Sequence, residues 1–477
     1  MPIIQIFGPL KQIDKKLQND LYEWAFDQCE TGWIPNGFSK LPLNEDVLEF
    51  TSYFSKIATQ VIEDKVESDT KVFICLCFSN ASRSKCLKFP ALDTNEQIEV
   101  IFFDCRIIYE VFSIIFFSPI SRKKRILDGA IAIFKLSLAS RLSIINDLEL
   151  DKIILALTAE GGKMRINLNE KESSSTSFNK LLEVSEFSMF DTKMIIHSIG
   201  SYVLYHELAH ILFKYSSELK DITKSNFKNL FDWINTDRDH VSEHFENGDI
   251  FHKVLKETEK MATAENIFSE QDAEEVNCDI FSISNTLHSV LLDGNTIPLI
   301  RSCLLLTNQF LNQMTGLGDY FKVYIKPFDD YSKGNLNELS QDERNDLYKN
   351  NFELAGSRLS RYKEIMNLRL FFNQKWIDSN IRSAHKQQNP EKDDNYISSL
   401  LLNGNYFHST MQIFTTDLFE SLNNDLLYEK STQLSSLGRC LQGLYHINDQ
   451  TLKASKYSDP FAFYLFDTVQ YINENIE

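Results

Sequence analysis

Val203-Leu204-Tyr205-His206-Glu207-Leu208-Ala209-His210-Ile211-Leu212 carries H-E-x-x-H inside an apolar frame, and the reading of the whole chain works outward from it. On a helix, residues four apart lie one above the other, so His206 and His210 can aim both imidazoles at one point. Two such rings form the first two teeth of a metal clamp. Glu207 is rotated about 100° from His206, which lets its carboxylate reach a water held in an open coordination position and act as general base. Leu204, Leu208, Ile211 and Leu212 supply the apolar surface expected of a helix buried in a domain. Coincidence is a poor explanation of the motif. With 10 histidines and 67 acidic residues in 477 positions, chance supplies it about 0.03 times in such a chain.

Two histidines leave a shell incomplete, and the candidate third ligand lies in Asp272-Ala273-Glu274-Glu275-Val276-Asn277-Cys278-Asp279-Ile280. Ser269 followed by Asp272 resembles a capping box. Val276, Ile280, Ile283, Leu287 and Leu291 then keep helical spacing, and Gly294 suits the exit. Glu275 and Asp279 share one face of this helix at i,i+4. Glu274 competes with Glu275 for the role of ligand, with Cys278 as its own i+4 neighbour.

Together these residues resemble the gluzincin metallopeptidases, in which H-E-x-x-H on one helix is completed by E-x-x-x-D on a second. The resemblance implies His206, His210 and Glu275 as ligands of Zn2+, Glu207 as the catalytic base, and Asp279 as the carboxylate that orients His206 through its second ring nitrogen. It therefore favours Glu275 over Glu274. Within that group the H-E-L-A-H text and the Glu-x-x-Cys-Asp-x-Phe-Ser stretch ending at Ser282 are most similar to intracellular bacterial members: the phage-exclusion Lit-type peptidases and the mobile-element peptidases that cleave repressors. The matching residues all fall between Val203 and Asp279. This chain is much longer than those proteins, and 64 residues separate His210 from Glu275.

The implied fold class is α+β: a zincin-like metallopeptidase domain with a small mixed sheet and active-site helices, followed by a largely helical C-terminal domain. A length of 477 residues supports two or three domains. We divide the chain into an α+β portion at 1–90, the metallopeptidase domain at 91–295 and the helical domain at 296–477. Val47, Phe50, Phe54, Ile57 and Val61 predict a helix from about Asn44 to Lys65, and residues 1–40 predict an amphipathic helix ending near Thr31-Gly32. Strands are expected at Lys71–Cys77 and Ile98–Phe103, both rich in β-branched and aromatic residues. Further strands are expected at Lys152–Leu157 and Lys163–Asn167, with Met164–Leu168 placed to pair with an extended substrate. The metal helix is expected over Asp191–Tyr215, with His197 turned about 180° off its ligand face. Helices are expected after Thr296, at about Phe352–Phe372 and around Lys375–Lys386.

Two further histidine motifs carry less weight. Asp237-Arg238-Asp239-His240-Val241-Ser242-Glu243-His244 contains an inverted H-x-x-E-H, but it sits among charges without an apolar frame and reads as a surface helix or a lid. His240, His244 and His252 are candidates for the transition-state donor. His408 and His446 are isolated and read as structural or exposed.

A net charge of −18 disfavours nucleic-acid and anionic-membrane partners, whose phosphates it would repel. The single basic tract, Arg122-Lys123-Lys124-Arg125, reads as a solvated turn after Pro119. Eight scattered cysteines, mostly in apolar runs, read as free thiols of a reducing cytosol. The N-terminus lacks a basic region followed by a long apolar one, and the run Ile107–Pro119 is too short to span a bilayer. A cytoplasmic zinc endopeptidase acting on a protein substrate is the leading expectation, with room for a regulatory protein partner and a role in antiviral defence. The alternatives are a scaffold that uses the metal only to hold two helices, and a regulator built around Arg122–Arg125.

Overall fold

A computed structural model of the chain describes residues 4–29, 45–66, 69–77, 84–90, 97–105, 107–108, 110–111, 189–225, 270–290, 296–312, 315, 369, 372–387, 390, 396–397 and 401. The expected strands at Lys152–Leu157 and Lys163–Asn167, the Met164–Leu168 edge, the Arg122–Arg125 tract, the H-x-x-E-H stretch, His252, Cys440, His408 and His446 lie outside these residues. Within them the fold is α+β: a small mixed sheet packed between helices.

The sheet holds four strands in the order β1 (Ile4–Phe7), β2 (Thr70–Cys77), β4 (Gln97–Asp104) and β3 (Lys85–Lys88). β2 and β4 run parallel, with Phe73 beside Val100 and Cys75 beside Phe102. β1 and β3 flank this pair antiparallel. β2 and, apart from Glu99, β4 read as largely apolar runs because both faces are covered, as central parallel strands require. Side chains alternate across the pleat. Phe73, Cys75, Cys77, Ile98, Val100 and Phe102 face helix α1 (Lys15–Gln28), where they meet Leu17, Leu21 and Ala25. Val72, Ile74, Leu76, Ile101 and Phe103 face the other way, onto helices α2 (Glu45–Lys65) and α3 (Met189–Tyr215).

α1 begins where the Asp14 carboxylate accepts a hydrogen bond from the Leu17 amide at 2.8 Å, satisfying one of the free donors of the first turn. α2 lays Phe50, Phe54, Ala58 and Ile62 against the sheet at helical spacing, within a residue of the bounds expected from sequence. α3 is apolar nearly all round. Ile195, Ile199, Leu204, Leu208, Ile211 and Leu212 are all buried, as befits a helix enclosed by the sheet, by α2 and by helix α4 (Glu270–Ser289). Two further helical segments, 296–312 and 372–387, follow. One buried cluster draws Phe54 and Ile74 together with Leu204, Leu304 and Ile377, so residues on both sides of position 90 and of position 295 share a core.

Two glycines answer to close approaches. Gly8 has φ +146°, in the region that side chains rarely enter, and an added Cβ there would lie 2.6 Å from Phe73 Cδ1. Gly200 sits in mid-helix on α3, where a Cβ would lie 2.5 Å from Cε1 of Phe50. Its absence lets α2 and α3 pack together. In an exposed helix, Gly to Ala stabilises by about 1 kcal/mol. At Gly200 the clash reverses the sign, and we expect Gly200→Ala to destabilise the fold by about 1–3 kcal/mol in urea unfolding. A neutral or stabilising result would show that the two helices are not in this contact.

Candidate metal centre

The site forms where α3 crosses α4. Ala209, Phe213 and Cys278 are buried together at the crossing, where the small Ala209 on α3 and Cys278 on α4 let the two helices approach. The Ser282 hydroxyl donates to the backbone carbonyl of Tyr202, fixing the register of one helix against the other. In that register His206 Nε2 lies 3.2 Å from Glu275 Oε2, and His210 Nε2 lies 3.6 Å from Glu275 Oε1. One donor atom from each of His206, His210 and Glu275 falls within 4.8 Å of the others. Two imidazoles and a carboxylate are donors that could hold a metal ion, and this spacing fits one. No other such group occurs among the described residues.

Glu274 stands elsewhere. Its Oε1 lies 3.4 Å from His210 Nδ1, on the side of the ring away from Glu275, and its Oε2 accepts from Lys220 Nζ at 3.3 Å. Of the two glutamates, Glu275 faces both Nε2 atoms and Glu274 does not. His197 is off the ligand face, where it contacts the Ser201 hydroxyl at 3.3 Å and packs edge-on against Phe50. Burial holds its pKa below the usual imidazole value.

Asp279 lies beneath His206, with Oδ1 3.0 Å from Nδ1. It is fully buried and heavily hydrogen-bonded. The Tyr202 hydroxyl donates to it at 2.7 Å, Asn308 Nδ2 at 3.0 Å and Asn373 Nδ2 at 2.8 Å. Arg369 grips it with Nε at 2.5 Å and Nη2 at 2.9 Å, a two-pronged pair that also reaches Glu275 Oε2 at 3.3 Å. Burial alone would raise the Asp279 pKa, but Arg369 and His206 overcome it and hold the carboxyl far below the ordinary range. Glu275 behaves likewise. Against burial, His206 and then Arg369 pull it down to about 2. For His206, burial opposes the charged ring, yet Asp279 and Glu275 lift it to about 10. His210 goes the other way, lowered by burial and by the charge of His206.

Glu207 is only 8% exposed. After burial, its charge contributes to raising the pKa of two thiols, Cys86 on β3 and Cys278 on α4. At the far end of α3, buried Glu99 of β4 accepts from Lys214 Nζ at 2.5 Å and from the Tyr215 hydroxyl at 2.6 Å, tying the helix end to the sheet.

Sequence reasoning missed Arg369, Tyr202, Asn308 and Asn373. Only Tyr202 had a local signal, since it lies one turn before His206 and faces the same way. Arg369 is 90 residues from Asp279 and belongs to no motif.

Replacing Arg369 leaves the buried Asp279 and the partly buried Glu275 side by side with, among the described residues, only His206 to offset their charge. We expect Arg369→Met to cost about 3–5 kcal/mol in chemical unfolding of the metal-free protein. Arg369→Lys recovers only part of it, because an ammonium cannot grip both oxygens in a fork. An Arg369→Met protein as stable as wild type would remove the guanidinium from this role.

The pKa shifts also set a pH window. His206 is raised above its unfolded value, so its contribution is complete below about 6.5 and is lost as pH climbs toward 10. Glu275 is lowered, so its contribution is present above about 4.5 and is lost as pH falls toward 2. The melting temperature of the metal-free protein should therefore fall on both sides. His206→Asn should flatten the alkaline limb. No family model, curated protein or solved structure matches the chain, so the site is read from its own geometry.

Proposed function

We propose that the protein is a zinc-dependent endopeptidase of the gluzincin type, with a zincin-like catalytic fold. The observation that carries this reading is the approach of Glu275 to both His206 Nε2 and His210 Nε2, with Asp279 behind the first ring. It is the arrangement implied by H-E-x-x-H and E-x-x-x-D. A closed structural zinc site uses four protein donors. Here three converge among the described residues, leaving a position for water or substrate.

A divalent ion bound by these residues supplies a Lewis acid that polarises a carbonyl and acidifies water. The rest of the chemistry belongs to the chain. Glu207, next in sequence to His206, accepts the proton of the attacking water and returns it to the departing amine. Asp279 holds His206 so that Nε2, with its lone pair, faces the ion and Nδ1 carries the hydrogen. Arg369 keeps both carboxylates ionised and in place.

β3 supports a peptide as the substrate class. Its partner is β4 on one side, and no strand among the described residues pairs with its other side. It also packs against α3. An extended chain added along that edge would present its backbone to Glu207 and the triad. In this reading Lys85–Lys88 is a candidate edge for substrate pairing beside Met164–Leu168, which lies outside the described residues. No helix among the described residues is long and apolar enough to cross a membrane. The resemblance to Lit-type peptidases extends the proposal to a cytoplasmic protein target in antiviral defence.

Glu207→Gln tests the reading directly. The variant should keep about one zinc per chain by metal analysis, while new protein termini found in cells expressing wild type disappear. Loss of metal in Glu207→Gln, or identical termini in the two strains, would sink the proposal.

A further inference from the structure

Each metal-facing imidazole has a carboxylate on its far side. We propose that Glu274, steered by Lys220, is the positioning residue for His210, as Asp279 is for His206. The inference rests on the metal site proposed above. His210 turns Nε2 toward Glu275 Oε1 at 3.6 Å and Nδ1 toward Glu274 Oε1 at 3.4 Å, so its two nitrogens face two different carboxylates. A ring that offers its Nε2 lone pair to a cation must carry its hydrogen on Nδ1. A carboxylate acceptor at Nδ1 selects that tautomer, fixes the ring plane and makes Nε2 a stronger donor to the ion.

Cys278 competes for the same nitrogen, with Sγ 3.5 Å from Nδ1. Sulfur is a weak acceptor, and a thiol cannot supply the negative charge that strengthens an imidazole ligand. Glu274 supplies that charge. Lys220, on the helical segment 217–225, reaches Glu274 Oε2 at 3.3 Å and keeps Oε1 turned toward the ring. The two supports are unequal. Asp279 is buried under donors from several segments, whereas Glu274 and Lys220 are each about a third exposed, at 37% and 35%. Solvent therefore dilutes the pull of Glu274, and its effect belongs at the low end of the range for residues of this kind.

The test uses the full chain and zinc alone. Zinc affinity is measured by competition with a chromophoric chelator, with far-UV circular dichroism to establish folding. Glu274→Ala should bind zinc about tenfold more weakly. Glu274→Gln should recover most of that loss, because its amide oxygen still accepts from Nδ1. Lys220→Met, which leaves the triad and Glu274 intact, should weaken binding by roughly two- to threefold. Cys278→Ala should stay within about twofold of wild type. Substitution of cobalt gives a second readout: the visible absorption band should shift in Glu274→Ala and return in Glu274→Gln.

Unchanged affinity in both Glu274→Ala and Lys220→Met overturns the assignment, as does a loss that follows Cys278→Ala instead. Failure of Glu274→Gln to improve on Glu274→Ala overturns it as well. If folded wild-type protein takes up no zinc, the proposed function falls together with this inference. If wild type binds tightly and the Glu274 variants match it, only the inference falls.

Discussion

The carboxylate of Asp279 is the point on which the rest of the site depends. A buried ionised group is tolerable only when its desolvation is offset by hydrogen bonds and an opposite charge. Asp279 has both: Tyr202, Asn308, Asn373 and Arg369 all donate to it, and His206 stands over it. These donors come from separate stretches of chain. The cost of burying one charge thus fixes where α3, α4 and the segments containing 308, 369 and 373 meet, and the orientation of His206 follows from that meeting. The geometry of the triad and folding stability share the same set of bonds.

A second anchor works at the opposite end of α3. Glu99 comes from a central strand, where a charge would ordinarily be excluded, and Lys214 with Tyr215 satisfies it from the last turn of the helix. α3 is consequently held at its middle by Asp279 and at its end by Glu99. Between those two holds lie Glu207 and His210. A helix pinned at two places along its length has little freedom to slide or turn, which is what a clamp built from side chains one turn apart requires.

Much of this could be read from residues alone, and the parts that could not share a physical cause. The helices around His206 and Glu275 and the strands at Thr70–Cys77 and Gln97–Asp104 are long, with strong local periodicity or composition. β1 and β3 have four residues each, too few to establish a period, and Lys85-Cys86-Leu87-Lys88 has no β-branched residue to mark it as a strand. They are strands because β2 and β4 offer edges to pair with. Arg369 was invisible for a related reason: its partners lie in tertiary space, and a single arginine in a helical pattern carries no local sign of them. Glu274 and Glu275 are neighbours of the same type, and only the crossing of the two helices separates their roles.

The shared core reaches beyond the two helices that carry the triad. Leu304 and Ile377 belong to the same buried cluster as Leu204 and Ile74, and Trp376 donates its indole N–H to the Ile280 carbonyl and the Ser284 hydroxyl. Asn308, Arg369 and Asn373 then carry the later part of the chain into contact with Asp279. A gene fragment ending shortly after α4 would strip that carboxylate of its only guanidinium among the described residues and uncover one side of α4. The unit that holds the triad is accordingly not a cassette that recombination could lift out and graft onto another protein. Its inheritance is bound to that of the helices that follow it.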